Sequence, residues 1–360
     1  MRRNAKINRM NFLENLFSKK KYAESIVLID IGADTVAGAY VHYSDGEQPT
    51  ILYVRRLPIE IRPDEAHDRA MVRALELLAA DLIREGAPVL ARATGSGSIG
   101  SILVSVDAPW QETRVHTEYF EQDESFIFTK ELVEAKLKSS AAVSSEELLA
   151  DTSIIGTILN GYETNNPYGR RVHRASIIAL TSIIQRSVAD DILRVLSRSY
   201  HTKKVFPIAG SSLRYQAMRI LFPHERDALI IDATGRALTS ISLVRKGMFV
   251  TMVHVETRSD DTEWVPAVTK ELAELAKHYP LPRTIFLLAR EQEVASLREK
   301  LDTANFAPLW FGDAPPKIVA VQKSLVGTSV RQMTTNTPGL VVLLMTLYFR
   351  DRHAGSGEIR

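Results

Sequence analysis

Residues 25–43, SIVLIDIGADTVAGAYVHY, decide how the rest of the chain is read. Residues 26–29 form an apolar run closed by Asp30. Gly32 permits a turn, and residues 35–43 alternate small, apolar and polar side chains. This is the pattern of a β-hairpin with an acid at its tip. A weaker copy lies further on: residues 228–231, Asp232, Gly235, a strand over 237–244 and, past Arg245-Lys246-Gly247, another over 248–255. Two such hairpins in a chain of 360 residues imply a duplicated α/β unit.

Composition narrows the function classes. The 45% hydrophobic and 24% charged content is that of an ordinary globular protein. A formal net charge of +2 gives no reason to expect nucleic acid as a partner. There is no cysteine, which removes disulfides, thiol nucleophiles and thiolate metal sites and fits a reducing compartment. The nine histidines show no His-x-x-x-His or His-Glu-x-x-His spacing, so no metal centre is expected. No Gly-x-Ser-x-Gly elbow is present. The late apolar run, residues 340–349, is far short of the ~20 residues of a membrane-spanning helix, and the chain is expected to be cytoplasmic.

Residues 1–24 stand apart. Arg2, Arg3, Lys6 and Arg9 precede an apolar face containing Phe12, Leu13, Leu16 and Phe17, and Lys19, Lys20 and Lys21 follow. A helix so patterned would lie on an anionic membrane surface, its apolar side chains in the headgroup region and its cations against the lipid. Packing of the same side chains back onto the protein is the alternative. Further along, residues 64–85 predict an amphipathic helix stopped by Gly86-Ala-Pro88. Residues 93–100 are glycine-rich but lack Gly-Lys-Ser/Thr, so they are read as a linker and not as a phosphate-binding loop. β-rich residues 100–181 are expected to form an insertion, followed by helices over 182–200 and 211–221. The second hairpin is followed by a helix over 263–278, a strand over 284–288, a helix over 291–304 and a terminal helix over 340–350. Residues 351–360 read as a polar tail.

Three stretches carry a family resemblance. Asp30-Ile-Gly32 and Asp232-Ala-Thr-Gly235 stand where the actin-like superfamily has its two phosphate loops. The third stretch is the Asn-Pro-x-Gly turn of residues 166–169, the strand and long helix after it, and Lys204-Val-Phe-Pro-Ile-Ala-Gly210. It resembles the exit of the SHS2-type subdomain found in the FtsA/PilM group. The resemblance implies an α/β, ribonuclease H-like duplicated fold. Residues 25–99 and 182–225 would form the first unit, 100–181 the insertion and 226–350 a reduced second unit. The short link between residues 255 and 263 leaves little room for subdomain 2B, and the truncation is expected to bare apolar surface.

The resemblance also implies ATP with Mg²⁺ held by Asp30, Gly32, Asp34, Thr35, Asp232 and Gly235. The same loops depart from that pattern. Ala33 replaces a hydroxyl residue, Asp34 adds negative charge, and Thr234 and Arg236 interrupt the glycine run. Thr239 replaces an acid, and Ala289-Arg290 replace the Gly-Gly of the adenosine turn. These departures argue against ATP turnover, and no cofactor is expected. The function implied is a scaffold at the inner face of the cell membrane with a degenerate site. It would be either FtsA-like, partnered with a tubulin-like division filament, or PilM-like, partnered with the tail of a pilus membrane protein; an active actin-fold ATPase or sugar kinase is the third reading, which the altered loops argue against. Self-association through the inserted module belongs to the same resemblance.

Overall fold

The computed structural model describes residues 23–140, 146–164, 166–235, 238–258, 262–304, 306–310 and 315–355. The proposed lipid-facing residues Phe12, Leu13, Leu16, Phe17, Lys19, Lys20 and Lys21 lie outside them, as does Arg236.

In the first lobe β1 (Ala23–Ile31), β2 (Thr35–Ser44) and β3 (Thr50–Pro58) form an antiparallel meander. β4 (Ser101–Val106) and β9 (Val205–Ala209) then add in parallel on the other side of β1. In the second lobe β10 (Ala228–Ala233), β11 (Thr239–Arg245) and β12 (Met248–Val255) repeat the meander. β13 (Thr284–Ala289) and β14 (Lys317–Ala320) repeat the parallel pair. Each sheet therefore reads third, second, first, fourth, fifth strand, with the short β15 (Arg331–Gln332) added at the β3 edge. The expected duplication is one of topology.

Alternation along the central strands assigns side chains to different cores. Val27, Ile29 and Ile31 of β1 face a core with α1 (His67–Asp81) and α4 (Arg186–Tyr200). Ile26 and Leu28 face the opposite way. β10 divides likewise: Leu229 and Ile231 face α6 (Trp264–His278) and α7 (Val294–Asp302), whereas Ala228 and Ile230 face inward. The two inward sets share one core with α5 (Gly210–Leu221) and α9 (Leu340–Gly355). α9 is buried on all sides from Leu340 to Phe349 because it lies against both lobes. Tyr43 Oη donates to the Thr346 carbonyl at 3.1 Å, tying α9 to β2.

The insertion is an antiparallel sheet of β5 (Gln111–Phe128), β8 (Arg170–Gln185), β6 (Glu147–Leu159) and β7 (Tyr162–Glu163), with α3 (Lys130–Ser140) on one face. Phe120, Phe126, Phe128 and Val133 fill the space between sheet and helix.

Several expectations are corrected. Residues 101–106 belong to the first lobe's main sheet, and the insertion starts at Gln111. β8 runs through Gln185, so Ile183 and Ile184 are buried strand residues and α4 begins at Arg186. The helix does not stop at Gly86. A π turn (Leu82–Gly86), closed by Ala87 N–H donating to the Leu82 carbonyl, carries it into α2 (Ala87–Thr94) and accommodates Pro88, which has no N–H to donate. Gly86 is needed because a Cβ there would come within 2.7–2.8 Å of the Tyr40 and Tyr53 rings. Residues 351–355, expected to open a polar tail, continue α9. α6 is the next described element after β12 and, against the expected bare apolar surface, Tyr279 is the one large hydrophobic residue exposed among the described residues of 228–310. α6 covers the sheet face, with Trp264 Nε1 donating to Thr239 Oγ1 at 2.9 Å.

Candidate functional site

In both lobes the parallel strands end at the same level, and ligands of open α/β sheets bind beyond such carboxyl ends. Asp30 on β1, Asp107 just past β4 and Asp232 on β10 converge there. All six residues expected from the phosphate-loop resemblance, Asp30, Gly32, Asp34, Thr35, Asp232 and Gly235, line one cleft of about 320 Å³ between the lobes. Asp30 is not at the hairpin tip. It pairs with Ala37 inside β1–β2 and is 4% exposed. Neither Gly32 nor Gly235 has a positive φ, so their turns do not demand glycine on backbone grounds.

The centre of the cleft holds a protein cation. Arg214, at the start of the second turn of α5 and 3% exposed, grips Asp107 with both guanidinium ends, Nη1 to Oδ1 at 3.0 Å and Nη2 to Oδ2 at 2.8 Å. Its Nε makes an ion pair with Asp232 Oδ2 of the other lobe. The other Asp232 oxygen accepts from the Thr234 amide at 2.9 Å and hydroxyl at 2.6 Å, which fixes the second loop. Gly210 makes the arrangement sterically feasible, because a Cβ there would overlap the Asp107 carboxylate and the Arg214 guanidinium.

A second arginine crosses in the opposite direction. Arg290, just past β13, donates through Nε to the Thr234 carbonyl of its own lobe at 2.9 Å and pairs through Nη2 with Asp34 of the first lobe. Around this pair, Arg56 Nη1 donates to Thr35 Oγ1 at 3.2 Å and Lys323 Nζ to Glu291 Oε2 at 2.6 Å. His67 Nε2 lies 3.0 Å from the Ala33 carbonyl.

Three carboxylates around one buried guanidinium are not fully neutralised. Burial pushes the Asp30 carboxyl above the ordinary aspartate value, Asp232 adds to the effect, and Arg214 and Arg56 oppose it. Asp30 Oδ1 is buried with no hydrogen-bond partner, which adds to the cost of holding a charge there. Burial likewise raises Asp107, to about 7, against the pull of Arg214. For Arg214 burial disfavours the charge, but Asp107, Asp232 and Asp30 outweigh it and hold the guanidinium charged.

This donor set does not suit Mg²⁺. A divalent cation would have to sit against Arg214, which already occupies the space among the carboxylates. Among the described residues, no group of three or more His, Asp or Glu side chains is arranged to hold a metal ion. The residues that sequence reasoning missed are Asp107, Arg214 and the bridging role of Arg290. The available signal was an acid closing each of β1, β4 and β10.

A second concavity lies where the insertion meets α5 and α9. Two adjoining cavities of about 490 and 960 Å³ share Ile154, Tyr168, Gln216 and Arg219.

No family model and no curated protein matches this chain. Among solved structures, the PilM-PilN type IV pilus biogenesis complex superposes with a TM-score of 0.52 at 14% identity. The match covers 90% of this chain and 98% of that one. The fold is actin-like. Two weaker likenesses are a Bacteroides thetaiotaomicron protein with an actin-like ATPase fold and unknown function, at TM-score 0.46, 9% identity and 91% and 96% coverage, and the ethanolamine utilization protein EutJ of Carboxydothermus hydrogenoformans, at 0.41, 11% and 95% and 97%. Among the described residues no helix is long and apolar enough to cross a membrane.

Proposed function

We propose that this chain is a non-catalytic adaptor in which side chains do the work a nucleotide does in actin-like ATPases. The observation that carries the reading is the reciprocal pair of arginines. Arg214 of the first lobe grips Asp232 of the second, and Arg290 of the second grips Asp34 of the first. An ATPase needs positions where phosphate oxygens and Mg²⁺ meet open amides and free carboxylates. Here Asp232 and Asp34 are occupied from within, and the lobes are joined without a ligand.

The adaptor reading is PilM-like. It is supported by the end-to-end fold likeness to a complex whose name joins PilM with PilN, and by the groove between the insertion and α5/α9, which is large enough for a peptide. The partner would be the short cytoplasmic tail of a membrane protein. Residues 1–24 would add peripheral attachment to anionic lipid at the inner face of the membrane. An FtsA-like division role is the alternative outcome, recognised by capture of a tubulin-like filament protein in place of such a tail.

Isothermal titration calorimetry with ATP and Mg²⁺ tests the reading. No saturable heat at millimolar nucleotide is expected. Micromolar binding abolished by Asp30→Ala would overturn it. The lipid component is tested separately: removal of residues 1–24 should abolish binding to anionic liposomes, and unchanged binding would exclude that role.

A further inference from the structure

The groove between the insertion and α5/α9 has a chemical signature that narrows its partner. Its smaller cavity has an apolar wall of Leu149, Ile154 and Tyr168, which are 39%, 38% and 42% exposed. Three cations on three different elements line the same cavity: Lys130 on α3, Arg219 on α5 and Arg352 on α9. None forms an ion pair with a described carboxylate. Both guanidinium groups instead lie over tyrosine rings, Arg219 at 5.8 Å from the Tyr215 centroid with Nη1 donating to the Tyr215 hydroxyl at 3.4 Å, and Arg352 at 5.2 Å from the Tyr348 centroid. A tyrosine ring attracts a guanidinium without neutralising its charge, and the N–H donors it does not engage stay open to an anion.

Two further details point the same way. Glu134 is the one carboxylate lining this cavity, so its lining carries an excess of positive charge. Thr152 Oγ1, on the cavity wall, is buried with no hydrogen-bond partner. A buried hydroxyl without a partner is costly unless a ligand completes it. In the adjoining larger cavity, by contrast, Arg226 is already paired with Glu163 at 3.3 Å.

We propose that the smaller cavity takes a protein segment in which an apolar side chain stands next to a carboxylate, so that the adaptor selects acidic–apolar peptides over basic ones. The inference rests on the adaptor reading above. The apolar side chain lies on Leu149, Ile154 and Tyr168. The carboxylate accepts from the edges of Arg219 and Arg352, with Lys130 adding attraction.

Fluorescence anisotropy on the full chain provides the test, using two fluorescein-labelled peptides in which leucine alternates with glutamate or with lysine. The Leu/Glu peptide should bind saturably, weaken with salt, and bind at least about tenfold more tightly than the Leu/Lys peptide. Lys130 and Arg219 are exposed, so a Lys130→Glu, Arg219→Glu double variant should keep its circular dichroism spectrum and reverse the preference. Equal affinities, or Leu/Glu binding unchanged in the double variant, overturn the proposal. If only the Leu/Lys peptide binds, and Tyr168→Ala abolishes that binding, the groove stands as a peptide site and the charge assignment falls. If neither peptide binds, the groove itself falls as the adaptor site.

Discussion

The cleft between the lobes and the groove beside the insertion are both lined by arginines, and the two regions use them in opposite ways. In the cleft, Arg214 and Arg290 meet carboxylates of this chain, each reaching across to the other lobe. In the groove, Arg219 and Arg352 lie on tyrosine rings with no described carboxylate paired to them. A guanidinium that is desolvated and paired internally holds structure in place, and removing it strands its partners. A guanidinium held near a tyrosine ring and partly solvated contributes little to folding and keeps its recognition capacity. This difference supports the groove, and not the cleft, as the surface proposed to meet a partner.

The comparison can be broken most severely at Arg214. Arg214→Met leaves Asp30, Asp107 and Asp232 facing one another in a buried site, and a loss of about 3–5 kcal/mol is expected in urea unfolding. Adding Asp107→Asn should recover part of it. The matched change in the groove, Arg219→Met, should stay within about 0.5 kcal/mol of the parent. Equal losses at the two sites would erase the distinction. Next in size is Gly210→Ala, whose methyl overlaps the Asp107–Arg214 pair; overpacking of this kind costs about 1–3 kcal/mol, read as a drop in Tm. Arg290→Ala should be milder, about 1 kcal/mol at most, because Arg290 and Asp34 are 21% and 29% exposed and their attraction is screened.

The smallest effect is on pH dependence. Asp30 and Asp107 are carboxyls raised in the folded state, so the native protein binds more protons than the unfolded chain above the ordinary aspartate value of 3.8. Their contribution to stability is therefore present below that value and is lost as pH rises through about 7, where Asp107 ionises. Asp30→Asn imitates the protonated carboxyl and should flatten this part of the stability profile. A profile parallel to that of the parent would show that Asp30 is ionised throughout.

Much of the fold was legible because its cue is local. The apolar run before Asp30 and its copy before Asp232 mark strands buried on both faces, and these are the central strands of the two sheets. Two boundaries were misread where a local signal was overridden. Gly86-Ala-Pro88 looks like a helix stop, but the Tyr40 and Tyr53 rings require glycine there and the π turn absorbs the proline. Residues 101–106, set between a glycine-rich loop and Pro109, looked like part of the insertion; only pairing with β1 and β9 assigns them to the main sheet. In the cleft, Asp30 and Asp232 were legible as loop acids. Arg214 was not, because a lone cation early in a helix reads as solvent-facing until tertiary packing places Asp107 and Asp232 against it. Arg290 was noticed as a lost glycine, whereas its gain, the bridge to Asp34, depends on a residue 256 positions away.

The central claim is that the lobes are joined by side chains and not by a nucleotide. The absence of native cysteine makes it directly measurable, because introduced cysteines are the only thiols. Leu77→Cys on α1 and Lys270→Cys on α6 place one exposed label on each lobe, and pulsed electron paramagnetic resonance gives the distance distribution between them. The account predicts a single narrow distribution that ATP with Mg²⁺ leaves unchanged and that Arg290→Ala broadens. A distribution that is broad in the free protein and sharpens on adding ATP with Mg²⁺ would contradict it, because the nucleotide would then be closing the cleft.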